Sequence, residues 1–211
     1  LRDMDADGRL DAVYAGRSGV GWFRNPAQDP EREWQRVTVT EEDSEYTFCD
    51  IDGDGMDDIV AGSSRYSDRV ARWYRRMDAS GERWQPHDIA IDGGRPGRAS
   101  GMKFVIKGVA CLRDGATGQP ALVFSASGYG HGLFQLTAVE PTDAARTWQL
   151  RNLSPHQCGV KFDNVELADV DRDGDLDAVT TEEGEGVLTA GAGVIWFENT
   201  ETTAPGAVPP G

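Results

Sequence analysis

Three stretches of the chain carry aspartate at alternating positions: DMDADGRLD (residues 3–11), DIDGDGMDD (residues 50–58) and DVDRDGDLD (residues 169–177). Positions 1, 3, 5 and 9 are Asp3, Asp5, Asp7 and Asp11, then Asp50, Asp52, Asp54 and Asp58, then Asp169, Asp171, Asp173 and Asp177. Alternation at 1, 3 and 5 brings three carboxylates together if the chain curls, and glycine at position 6 (Gly8, Gly55, Gly174) permits the curl. Position 7 (Arg9, Met56, Asp175) then offers a carbonyl oxygen, and position 9 closes the shell. Hard oxygen ligands, six to eight at flexible geometry, suit Ca²⁺, whereas Mg²⁺ demands a tight octahedron. With no His or Cys in these loops, zinc and copper fit poorly. Position 12 is Tyr14, Ala61 or Thr180 rather than Glu, so the loops are not EF-hands.

Charge repulsion makes a cation hard to avoid. Two carboxylates about 4 Å apart repel by about 4 kcal/mol at an effective dielectric near 20. Three bound Ca²⁺ would bring the formal charge of −15 to −9. Three calcium sites are therefore expected, structural rather than catalytic, in loops that join consecutive strands.

The acidic stretches are the markers of an internal repeat. They start at Asp3, Asp50 and Asp169, gaps of 47 and 119 residues that fit one repeat and then two. A copy without the aspartates, GVACLRDGATGQPALVFSA, lies between the second and third and keeps only Asp114, so no calcium is expected there. All six tryptophans fall on two repeat positions. Trp22, Trp73 and Trp196 share one, with Phe134 in the third copy; Trp34, Trp84 and Trp148 share the other, each followed by Gln.

Each segment reads as a short strand rich in β-branched and aromatic residues and bounded by Gly, Asp and Ser. No sustained 3.6-residue apolar period occurs, so very little helix is expected. A full unit has four strands: A before the aspartates, B after them, C with the first Trp and D with the second. Four-stranded units repeated about a centre make an all-β propeller with A innermost. The predicted blades span about 1–40, 41–97, 98–157 and 158–199, with a Pro- and Gly-rich tail at 200–211 expected to be a disordered linker. The strand inventory is BCD, ABCD, ABCD, ABC. Incomplete first and last blades suggest an arc or fragment of a larger propeller over a small closed ring or half of an eight-bladed dimer. The chain is then expected to continue into, or associate with, further blades through its exposed edge.

The pattern Asp-x-Asp-x-Asp-Gly-x-x-Asp followed by apolar residues, with the later GVIWFEN strand, resembles the FG-GAP/VCBS repeat family of calcium-binding propellers. The resemblance runs through residues 1–199 and implies an extracellular, periplasmic or cell-surface protein. Its third unit departs from the pattern.

Composition excludes several partners. A net charge of −15 opposes binding to nucleic acid or an anionic membrane surface, and no apolar run is long enough to span a bilayer. Three cysteines (Cys49, Cys111, Cys158) are too few for a disulfide framework or zinc site. They read first as buried free thiols, with one disulfide and one free thiol as the alternative.

The A–B and C–D connections of such a blade lie on one face, leaving the longer loops opposite, where function usually resides. Arg65, Tyr66, Arg95, Arg98, Tyr129, His131, His156, Lys161, Glu182 and Glu183 belong to those loops. They suit a glycan or protein ligand, and a binding module is the preferred reading. The alternatives are a polysaccharide lyase or dehydratase using Tyr129, His131 or Lys161 as proton acceptor, and a purely structural segment of a larger surface protein. His87 reads as incidental.

Overall fold

The computed structural model describes residues 1–27, 29, 31–62, 70–91, 105–113, 118–127, 131–138, 147–154, 161–184 and 191–200. Among them there is no helix, and fifteen strands form four sheets. The first sheet holds β1 (Ala12–Gly16), β2 (Gly19–Arg24) and β3 (Gln35–Thr40); the second holds β4 (Glu45–Cys49), β5 (Asp58–Gly62), β6 (Arg72–Arg76) and β7 (Trp84–Asp88). The third is β8 (Ala90–Ile91), β9 (Val105–Arg113), β10 (Pro120–Ser127), β11 (Gly132–Ala138) and β12 (Thr147–Asn152). The fourth is β13 (Phe162–Ala168), β14 (Asp177–Glu182) and β15 (Gly193–Phe197).

Apart from β8, each sheet is an antiparallel meander in chain order, giving the inventory BCD, ABCD, ABCD, ABC that the repeat predicts. Successive sheets meet through their inner strands: β1 against β4, β4 against β9, and β9 against β13. This is the β-propeller arrangement. Among the described residues no comparable contact joins the fourth sheet to the first, so the blades form an arc rather than a closed ring. Close approach of the inner strands requires Gly108, where a Cβ would lie 2.6 Å from the Cα of Asn164 on β13.

One strand departs from expectation. The repeat assigns Ala90 and Ile91 to strand D of the second blade, but the chain leaves that sheet at Asp88. It then adds β8, in parallel, to the outer edge of the third, pairing Ala90 with Thr147 and Ile91 with Trp148. Ile89 is drawn into the core between the second and third sheets, which turns the chain across the gap.

Period-2 alternation gives each blade two apolar faces. Met4, Val20 and Trp22 of the first sheet meet Ile59, Ala61 and Tyr74 of the second. Ile51, Val60 and Trp73, at the repeat positions of Met4, Val13 and Trp22, point the other way into the third sheet. Val123 and Leu133 then meet Val165 and Ala178 of the fourth. Each fully buried large side chain contributes about 2–3 kcal/mol, so the blades are joined by apolar packing between sheets.

Cys49 and Cys111 form a disulfide with a Cα–Cα distance of 5.8 Å, which corrects the expectation of free thiols. They end β4 and lie on β9, inner strands the sequence places 62 residues apart and the stacking makes adjacent. Cys158, Asp114 and the tail from 201 onward lie outside the described residues. A loop of this length should constrain the unfolded chain by about 4 kcal/mol. Denaturant unfolding of a Cys49→Ser/Cys111→Ser variant is expected to show a loss of that order, matched by adding reductant to the parent protein; equal midpoints would refute it.

Candidate metal centres

The three acidic loops connect strands A and B, or precede B in the first sheet, and they repeat one hydrogen-bond scheme. The position-9 aspartates Asp11, Asp58 and Asp177 are buried. Their Oδ2 atoms accept the backbone N–H of position 2: Met4 at 2.8 Å, Ile51 at 3.1 Å and Val170 at 3.0 Å. Their Oδ1 atoms accept the N–H at the end of strand C: Asn25 at 2.8 Å, Arg76 at 2.8 Å and Asn199 at 2.9 Å. Each carboxylate thus ties the start of its loop to the strand beyond, and keeps a second lone pair on each oxygen.

The curl itself is side chain to backbone. Asp3 accepts the N–H groups of Asp7 and Gly8, and Asp50 those of Gly53 and Gly55. Position 5 accepts the N–H of position 7 in all three loops, Asp7 from Arg9, Asp54 from Met56 and Asp173 from Asp175, at 2.9, 2.8 and 3.1 Å. Position-6 glycines have φ of +84°, +84° and +98°, as the curl demands. Position 4 is also left-handed, which the sequence pattern hides: Ala6 at +59°, Gly53 at +75°, Arg172 at +69°.

Carboxylate oxygens of Asp3, Asp5 and Asp11, of Asp50, Asp52 and Asp58, and of Asp169, Asp171 and Asp173 each lie within 4.8 Å of one another. One buried oxygen per loop has no hydrogen-bond partner: Asp5 Oδ1, Asp52 Oδ2 and Asp175 Oδ1. Asp52 Oδ2 has the Arg75 guanidinium beside it; a buried acceptor without such a cation is costly. Burial pushes Asp58 up to about 6, and burial with neighbouring aspartates raises Asp5 and Asp175. Two arginines from strand C lean in: Arg24 Nε lies 2.8 Å from Asp5 Oδ2 and Arg75 Nε 2.6 Å from Asp52 Oδ2. The donor set, all oxygen and partly orphaned, fits a hard divalent cation.

Residues 3–61 match the family model of the FG-GAP-like repeat. The chain carries an FG-GAP-like repeat. No curated protein matches the chain. The matched repeat runs from the first acidic loop through the first sheet to the second loop and β5, so its unit is framed by two of the three carboxylate clusters.

The strand-C asparagines were legible only by aligning copies of the FG-GAP-like repeat. Asn25 and Asn199, three residues after Trp22 and Trp196, donate through Nδ2 to the carbonyls of Leu10 and Leu176 at 3.0 and 3.4 Å. In the second sheet Arg76 replaces them and reaches across to the carbonyl of Met4 at 2.6 Å, tying two blades together on the loop face. The Gly81 carbonyl accepts the indole N–H of both Trp22 (3.2 Å) and Trp84 (2.8 Å) there.

On the opposite rim, Arg65, Tyr66, Arg95, Arg98, Tyr129 and His156 lie outside the described residues. His131 is exposed at the start of β11. Glu182 is buried and accepts the N–H groups of Gly184 and Ala192, so it anchors its loop. Lys161 pairs with Glu183 and lies 3.5 Å from Asp163 Oδ2, while Lys107 Nζ is 3.9 Å from Asp163 Oδ1. Glu45, raised chiefly by burial, faces the same group. Sequence reading missed Lys107, Asp163 and Glu45 because they sit at the starts of three inner strands that only stacking brings together. Glu183 holds the Lys161 ammonium above its usual range, opposite to what proton abstraction requires. His87 stacks on Trp73 with ring centroids 4.7 Å apart, a cross-strand packing role.

The left-handed region costs an L-residue roughly 1–2 kcal/mol, less the extra chain entropy glycine loses. Open space surrounds a Cβ placed at Gly53, so Gly53→Ala should cost about 1 kcal/mol through backbone alone, and Ala6→Gly should stabilise by up to about that much. Thermal melts of both variants check it; a stabilising Gly53→Ala or a destabilising Ala6→Gly would refute the loop conformation.

Proposed function

We propose that the chain is a calcium-stabilised β-propeller module of an extracellular, periplasmic or cell-surface protein, engaging a glycan or protein partner through the loop face opposite the acidic loops. The three clusters of convergent carboxylates, with Asp5 Oδ1 and Asp175 Oδ1 buried and without a hydrogen-bond partner, carry the calcium reading. Asp3, Asp5, Asp7 and Asp11, with their counterparts in the other two loops, would hold the ion, together with the carbonyls of Arg9, Met56 and Asp175. A bound Ca²⁺ supplies charge neutralisation, and the residues need supply no chemistry beyond that. The Cys49–Cys111 disulfide supports an oxidising compartment. The mixed cluster of Lys107, Lys161, Asp163 and Glu45 at the inner rim supports a polar partner there. The raised Lys161 weighs against the lyase alternative.

A ligand that binds only the folded state stabilises it, by about 2.7 kcal/mol per site at a hundredfold excess over Kd. The melting temperature is expected to rise by several degrees or more between EGTA and millimolar Ca²⁺, with Mg²⁺ far less effective. Superimposable melts would remove the calcium reading.

Unmatched blade faces favour a further role, association with another blade. Val170, Val194 and Trp196 are 43%, 74% and 44% exposed, yet their repeat counterparts Met4, Val20 and Trp22 are at most 1% exposed, buried by the next blade. The first sheet offers the opposite face: Tyr14 and Phe23, in ring contact at 5.1 Å, occupy the positions of Ala61 and Tyr74, which receive the first sheet. The occupant of the fourth-sheet face is a second copy of this chain, docked through its Tyr14–Phe23 face. Sedimentation velocity should show concentration-dependent association that Trp196→Glu and Tyr14→Glu each abolish; a parent protein monomeric at all concentrations would overturn it.

A further inference from the structure

The three acidic loops share a backbone scheme, but what stands beside each carboxylate cluster differs in sign. In the first two, the second residue after the strand-C tryptophan is arginine: Arg24 follows Trp22 and Arg75 follows Trp73. Each guanidinium reaches the position-3 aspartate, 2.8 Å from Asp5 Oδ2 and 2.6 Å from Asp52 Oδ2, and Arg75 also lies 3.7 Å from Asp54. Neither Nε completes a hydrogen bond, so the contact is charge against charge without the alignment of a settled ion pair.

In the fourth sheet the same repeat position, two residues after Trp196, is Glu198. The register places it like the arginines: Phe197 pairs with Ala178 as Phe23 pairs with Ala12 and Tyr74 with Ile59. Position 7 changes in the same direction. Arg9 pairs with Asp7 in the first loop and Met56 is neutral in the second, whereas Asp175 in the fourth is 9% exposed with Oδ1 unpartnered. The first two loops thus have a strand-C arginine at the position-3 carboxylate, whereas in the fourth that strand position is Glu198; the second and fourth loops each hold five aspartates, but Asp57 of the second pairs with Arg2, and the fourth loop's own cation, Arg172, is exposed at position 4.

We infer that the loops are graded. The fourth-sheet loop is the high-affinity cation site, while Arg24 and Arg75 act as built-in counter-cations that hold the first two loops closed without metal and compete with it. Resting on the calcium reading above, this adds which site fills first and which side chains set the order. A guanidinium on the position-3 carboxylate must be displaced before that oxygen can ligate a metal, so its affinity cost is intrinsic to the first two loops. In the fourth loop, among the described residues, no guanidinium lies on the position-3 carboxylate, and added negative charge strengthens attraction for a divalent ion. At low calcium the loops of the first two blades are then closed by their arginines, and the loop of the fourth by metal.

Isothermal titration of Ca²⁺ into the metal-stripped chain tests this, with circular dichroism melts confirming that each variant folds. The parent protein should show one tight site and weaker ones separated by about tenfold or more. Arg24→Met and Arg75→Met, which keep much of the apolar stem, should each tighten one weak site by at least about fivefold, and Glu198→Arg should weaken the tight one by about tenfold. Glu198→Gln, the milder change, should weaken it in the same direction if the reversal does not fold. A single class of equal sites, or arginine variants that leave every affinity within about twofold, would overturn the grading while leaving calcium binding intact. No heat and no Ca²⁺-dependent melt would remove both.

Discussion

A buried aspartate accepting two backbone N–H groups holds each acidic loop to its blade. Asp11, Asp58 and Asp177 lie at the base of strand B and reach both the second residue of the acidic loop and a residue at or just past the end of strand C. An ionised carboxylate away from water is expensive, and charge-assisted bonds of this kind return about 1.5–3 kcal/mol each. The loop cannot open without leaving that charge and two N–H groups unsatisfied. Once it is closed, the carboxylates at positions 1 and 3 converge, with position 9 in the first two loops and with position 5 in the fourth, and the concentration of negative charge follows from the staple.

That concentration governs what else the face can contain. Cations are needed, and the chain supplies some itself: Arg24 and Arg75 from strand C, and Arg113 from the third sheet, 3.7 Å from Asp50. Arg76 is different, being buried and bonded to carbonyls of Met4, Asp78 and Ala79, so it joins blades rather than neutralising a loop. The loop face is therefore both an acidic-loop rim and a seam between consecutive blades.

Between the faces, stacking is decided by alternation. Each strand offers its odd side chains to one neighbouring blade and its even ones to the other, so a blade with neighbours on both sides is buried on both. Among the described residues, the first and fourth sheets each have one face without that cover, seen in the exposed Trp196 against the buried Trp22 and Trp73. The Cys49–Cys111 bond reinforces the middle of the arc, where the inner strands of the second and third sheets meet.

Much of this was legible in the one-dimensional pattern. Local spacing alone determines the curl of an Asp-x-Asp-x-Asp-Gly loop, the strand that follows it and the four-strand unit, because each depends on residues within about a dozen positions of one another. The repetition of Trp22, Trp73 and Trp196 likewise determined that the units are equivalent. Three things needed the tertiary structure. The second-blade D strand ends at Asp88, and β8 crosses to the third sheet because Ile89, partly buried, packs against the core between them, a preference no local pattern encodes. Cys49 and Cys111 pair because stacking places β4 beside β9, and sequence separation gives no hint of adjacency across blades. The Lys107, Lys161, Asp163 and Glu45 cluster exists only where the starts of three inner strands converge, since a side chain's charge is local but its neighbours are set by how the sheets stack.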